Sequence, residues 1–141
     1  MSNTRTMLAT LTFAAAIGLC GPAFAEKLTA TLDGASEVPP NTASGKGSAD
    51  LDYDAASKKL SWKMTYTGLS GPATAAHFHG PAEAGKNGGV AVPIPNIASS
   101  PTEGSATLTD AQAADLSSGK YYVNIHTAAN PGGEIRGQVM K

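Results

Sequence analysis

Apolar and polar residues alternate along most of the chain beyond residue 26, the period of two that marks strands with one buried face. In residues 27–32, Leu28, Ala30 and Leu32 share a face. In residues 48–54, Ala49, Leu51 and Tyr53 do the same. Residues 59–67 alternate most clearly, with Leu60, Trp62, Met64 and Tyr66 inward and Ser61, Lys63, Thr65 and Thr67 outward. The pattern predicts further strands over 74–79, 90–94, 104–108, 120–126 and 134–140. Their inward residues are Ala76 and Phe78, then Val90, Val92 and Ile94, then Tyr121, Val123 and Ile125, and finally Ile135 and Val139. Pro93 and Pro95 cannot donate to a ladder, so residues 90–94 are expected at a sheet edge.

One segment breaks the period. Thr109-Asp110-Ala111-Gln112 reads as a capping box, Ala113, Ala114 and Leu116 continue a short helix, and Gly119 ends it. Sixteen Gly and nine Pro punctuate the strands. Seven or eight short strands at this spacing predict an all-β domain over residues 26–141: an antiparallel Greek-key β-sandwich or flattened barrel with one short helix across one end.

Residues 1–25 read differently. Arg5 precedes an apolar run from Met7 to Leu19, and Ala23-Phe24-Ala25 fits the small-x-small pattern of signal-peptide cleavage before Glu26. The run is too short to span a bilayer comfortably. Cys20 follows Leu19 rather than a small residue, so a lipoprotein site is not expected. The expectation is an exported protein, periplasmic or secreted, with no membrane attachment after cleavage.

Composition then narrows the chemistry. Ten Lys+Arg stand against eleven Asp+Glu in 141 residues, a net charge of -1, so there is no basic field for a phosphate backbone and nucleic acid is excluded as a partner. The single Cys rules out an internal disulfide and a Cys-rich metal cluster, and it leaves with the leader. There is no nucleophile elbow and no pair of catalytic carboxylates. Gly85-Lys86-Asn87-Gly88 is a turn signal, because a P-loop needs Ser or Thr after the Lys. Asp50, Asp52 and Asp54 lack the Gly and distal Glu of a calcium loop and read as a solvated strand face.

The three histidines carry the remaining chemistry. His77 and His79 sit at i and i+2, hence on one strand face about 6.6 Å apart along the chain. His126 shares its own face with Tyr122 and Asn124, opposite Val123 and Ile125. All three imidazoles are therefore expected to point away from the core. If the two strands are neighbours, the three converge on the outer surface of the sheet. Two loops rich in Gly and Pro, residues 80–89 and 127–133, stand ready to rim that point. Three neutral imidazoles suit copper, with zinc the alternative, and not calcium or magnesium. Tyr122 is a candidate fourth or axial ligand. Glu134 and Arg136, alternating outward on the last strand, are candidates either for orienting an imidazole or for an ordinary surface ion pair.

Three motifs follow in order: Leu32-Asp33-Gly34-Ala35-Ser36-Glu37-Val38-Pro39-Pro40, then His77-Phe78-His79-Gly80-Pro81 with Asn87-Gly88-Gly89-Val90, then Tyr121-Tyr122-Val123-Asn124-Ile125-His126-Thr127 with Pro131-Gly132-Gly133-Glu134-Ile135-Arg136-Gly137-Gln138. Together they resemble the CHRD domain, named for chordin and common in exported bacterial proteins. The resemblance implies a compact extracytoplasmic β-sandwich and little about activity. A looser analogy is to the Cu/Zn superoxide dismutase sandwich, which also carries an outward H-x-H and a further copper-binding histidine near its C-terminal strands. This chain lacks that enzyme's zinc-site histidines, bridging histidine and disulfide.

Three functions follow, in order of preference. The first is a copper-binding protein for storage, delivery or electron transfer, with His77, His79 and His126 as ligands. The second is a metal-free adhesion or structural module. The third is a copper-dependent enzyme acting on superoxide. Oligomeric state and any protein partner are left open by the sequence.

Overall fold

The computed structural model describes residues 24–141. All but the last two residues of the expected leader lie outside the described residues. Strands run over Glu26–Asp33 (β1), Lys46–Asp54 (β2), Lys59–Thr67 (β3), Ala73–His79 (β4), Val90–Pro93 (β5), Thr102–Thr107 (β6), Tyr122–Thr127 (β7) and Ile135–Gln138 (β8), with one helix over Asp110–Ser117 (α1). Together they form one antiparallel, nearly closed barrel-like sheet in the order β5-β4-β7-β8-β1-β2-β3-β6. The pairs β4–β7, β8–β1 and β3–β6 are distant in sequence, so long connections cross between them, as in Greek-key folds. The expected all-β class, strand number and short helix are all present.

Register explains the core. Leu28 lies opposite Leu51, and Leu51 opposite Trp62. Ala30 faces Ala49, Ala49 faces Met64, and Tyr53 faces Leu60. On the other side of the barrel Phe78 pairs with Val123, Ala76 with Ile125, and Ile125 with Ile135. Every one of these is buried. Trp62 fills the middle, its ring edge-on to Phe78 with centroids 5.2 Å apart. Its neighbour on β6 is Gly104, where a Cβ would stand 2.7 Å from the indole; the glycine there makes room for the ring.

The helix forms as its capping box requires. Gln112 N donates to Thr109 Oγ1 at 3.2 Å, and Thr109 N donates to Gln112 Oε1 at 2.9 Å. Gln112 Nε2 also donates to Ala91 O on the edge strand β5. Leu116 anchors the helix in the core. Among the described residues no helix is long and apolar enough to cross a membrane.

The structure differs at strand ends and on one face. β7 begins at Tyr122, because Lys120 still donates its N–H to Asp115 O behind the helix. β8 is only Ile135–Gln138, although Val139 beyond it is buried as expected. The larger correction concerns Glu134 and Arg136. They are not solvent-facing residues but are 1% and 2% exposed. The outer face of β4, β7 and β8 is roofed by three loops: residues 34–45, 80–89 and 128–134. Asn41 Nδ2 donates to Glu134 O at 3.0 Å, and Asn87 Nδ2 donates to Val38 O at 3.2 Å, which ties the loops to the sheet and to each other.

Candidate metal centre

The site lies under that roof. β4 and β7 are antiparallel neighbours, with His77 opposite Asn124, His79 opposite Tyr122 and Ala75 opposite His126. Alternation then puts all three histidines on the face away from Phe78 and Val123. Ring centroids are 5.0 Å apart for His77 and His126, 5.5 Å for His77 and His79, and 6.3 Å for His79 and His126. One nitrogen from each ring lies within 4.8 Å of the others. The expected convergence is present, but the surface is not open: His79 is buried and its two partners are half-buried.

Backbone carbonyls set the tautomers. His79 Nδ1 is 3.0 Å from Gly88 O, and His126 Nδ1 is 2.9 Å from Pro131 O. A carbonyl only accepts, so both Nδ1 atoms carry the hydrogen and both Nε2 atoms present a lone pair. His77 Nδ1 faces His126 Nε2 at 3.2 Å. Two bonds of about 2.0 Å to one ion at a tetrahedral angle would hold two nitrogens about 3.3 Å apart. His79 Nε2 is buried with no hydrogen-bond partner.

Electrostatics favour the neutral form of two of the rings, His77 and His79. Burial pushes His77 below the usual imidazole range, and the neighbouring His126 and His79 add to this. Burial also lowers His79; His126 and Arg136 act in the same direction, while hydrogen bonding to Gly88 partly offsets it. Neutral imidazole is the form that binds metal.

The remaining candidates are placed differently from expectation. Tyr122 lies under His79, the two rings stacked at 4.8 Å and within 3° of parallel. Its hydroxyl is committed to the loop backbone, donating to Gly88 O and accepting from Gly88 N, both at 3.2 Å. It is a platform for His79 in this arrangement. Arg136 lies over the same tyrosine ring at 3.4 Å, and its guanidinium donates to Asn87 Oδ1 and Lys86 O. Glu134 takes hydrogen bonds from Ser70 N and Oγ, Thr127 Oγ1 and Asn130 Nδ2. Neither hydrogen-bonds an imidazole, and they do not pair with each other. The groups that orient the rings are Gly88 O and Pro131 O, which no reading of side chains could have found. Asn124 and Glu37 were also missed. Both are buried beside the site, and the parity of Asn124 with Tyr122 and His126 was the available signal. Asp50, by contrast, is exposed, and Asp52 pairs with Lys27, a solvated face as expected.

Among known families, the model of the CHRD domain matches residues 28–139. No curated protein and no solved structure gave a match.

Proposed function

The chain belongs to the CHRD-domain family, and on that footing we propose that it is an exported protein that holds one metal ion, copper, through His77 Nδ1, His79 Nε2 and His126 Nε2. The observation that carries this reading is the buried, unpartnered lone pair of His79 Nε2 in a cluster where one nitrogen of each ring lies within 4.8 Å of the others. A lone pair left without a donor in a buried place is costly, and an ion satisfies it. The donor set favours a borderline metal over a hard one, and copper over zinc in a compartment without thiolate competitors. Export rests on the leader pattern of residues 1–25. Storage, delivery or electron transfer would all use such a site.

Equilibrium titration of residues 26–141 with Cu(II), and separately with Zn(II), tests the reading. One ion should bind, and His77→Ala, His79→Ala and His126→Ala should each weaken binding at least about tenfold, or about 1.4 kcal/mol. If all three variants titrate like the parent, the site is not this one. The hydrogen bond between His77 and His126 supports a second reading, a metal-free structural module in which the histidines tie β4 to β7. Failure of the parent to bind either ion would leave that second reading standing.

A further inference from the structure

Around the three histidines, the buried polar atoms without partners share one property. Asn124 Oδ1 joins His79 Nε2 in having no hydrogen-bond partner, and the two residues are 3% and 9% exposed. Both atoms are acceptors, given the tautomer that Gly88 O imposes on His79. Acceptors in a buried cluster call for a cation or for a molecule that brings hydrogens.

The neighbouring residues fix which way the amide of Asn124 points. Its Nδ2 end is turned to Gly132 O, at 3.5 Å. A Cβ at Gly133 would stand 2.7 Å from Asn124 Nδ2 and 2.3 Å from Glu37 Oε1, so both groups crowd the space that this glycine leaves free at φ +131. The nitrogen end thus belongs to the loop and to Glu37. The oxygen end is left for the histidine face, where Asn124 stands opposite His77 on the side of β7 that carries His126. The charged group facing Glu37 is Arg136 of β8.

We propose that Asn124 and Glu37 make the fourth position of this metal site selective for a ligand that donates hydrogen bonds, water first, and turn it against anions. The inference rests on the three-histidine reading above. The ion takes the lone pairs of the three rings. A water at the remaining position donates to Asn124 Oδ1, and Glu37 holds that amide in place through its nitrogen end while adding negative charge nearby. The opening motif around Glu37, which the ligand set alone does not use, then acts on the site together with Gly133 of the closing motif. Glu37 and Asn124 are positioning residues and are not ligands.

The test uses Cu(II) and azide at pH 8, with water-proton relaxation of the Cu(II)-loaded protein as a second readout. The parent should show one exchanging water and weak azide binding. Glu37→Gln keeps the shape and removes the charge, so the Cu(II)-loaded variant should bind azide about tenfold tighter. Asn124→Asp keeps the shape and adds charge, so azide should weaken about as much. A structural role for these residues would not produce opposite shifts. Equal azide affinity in parent and both variants overturns the inference while leaving the metal site intact, and so does a parent with no exchanging water. A parent that takes up no Cu(II) overturns both readings at once.

Discussion

His77 and His79 are held neutral by their surroundings, burial first, and that sets the pH window of binding. Both lie below the ordinary imidazole value of about 6.5. At these two rings protons therefore compete with the ion only below that range, and Cu(II) affinity should fall as pH drops below about 6.5. Competition titrations at stepped pH check this; full affinity at pH 5 would contradict it. Glu134 shows the opposite balance. Burial alone would raise its carboxyl, but the hydrogen bonds from Ser70, Thr127 and Asn130 outweigh it and hold the group below the usual carboxylate range. A depressed carboxylate contributes stability above its unfolded pKa and loses it as pH falls through the folded value. Glu134→Gln should thus cost about 2–3 kcal/mol at pH 7, where buried charge-assisted bonds are lost. The difference from the parent should shrink on acidification. Urea midpoints at pH 7 and pH 3 measure both effects.

At the scale of elements, β3 bears most on the core. Trp62 is 4% exposed, held between Leu51 of β2 and Gly104 of β6 and set edge-on to Phe78 across the barrel. Trp62→Ala should cost roughly 3–5 kcal/mol, because the barrel cannot collapse onto so large a void. An unchanged denaturation midpoint would show that the ring is not packed there. The helix α1 is secured differently, by its ends. Thr109→Ala removes the acceptor for Gln112 N and should cost about 1 kcal/mol. Gln112→Ala should cost more than the cap alone, since the same side chain donates to Ala91 O and holds the helix to the edge strand.

For the molecule as a whole, the ion would join two strands and two loops. His77 and His79 stand on β4, His126 on β7, and their rings lean on the carbonyls of Gly88 and Pro131. Binding to the folded state alone, at a hundred times the dissociation constant, adds about 2.7 kcal/mol, or roughly 10 °C in melting temperature for a domain of this size. Calorimetry with and without Cu(II) measures it, and His126→Ala should cut the rise at the same Cu(II) concentration to about half or less. A melting temperature indifferent to Cu(II) in the parent would count against a site that spans these elements.

Strand identity and side-chain parity were legible in the sequence because they are local. A period of two assigns each residue of a strand to a face, whatever the strand pairs with. That alone put Leu60, Trp62 and Met64 inside and turned His77, His79 and His126 away from the core, while their meeting needed β4 and β7 to be neighbours. The capping box of α1 was legible for the same reason, since both its partners lie within four residues. What covers a face is not local. Glu134 and Arg136 read as surface residues, yet Asn41 and Ser70 reach Glu134 from 93 and 64 positions away, and Asn87 reaches Arg136 from 49. Glu37 comes to the site by the same folding-over of loops, and the hydroxyl of Tyr122 is drawn to Gly88 by it. Alternation along the chain determined which side chains could meet. Only the packing of distant loops over the sheet decided which of them are buried, which are left without a partner, and which way each imidazole presents its lone pair.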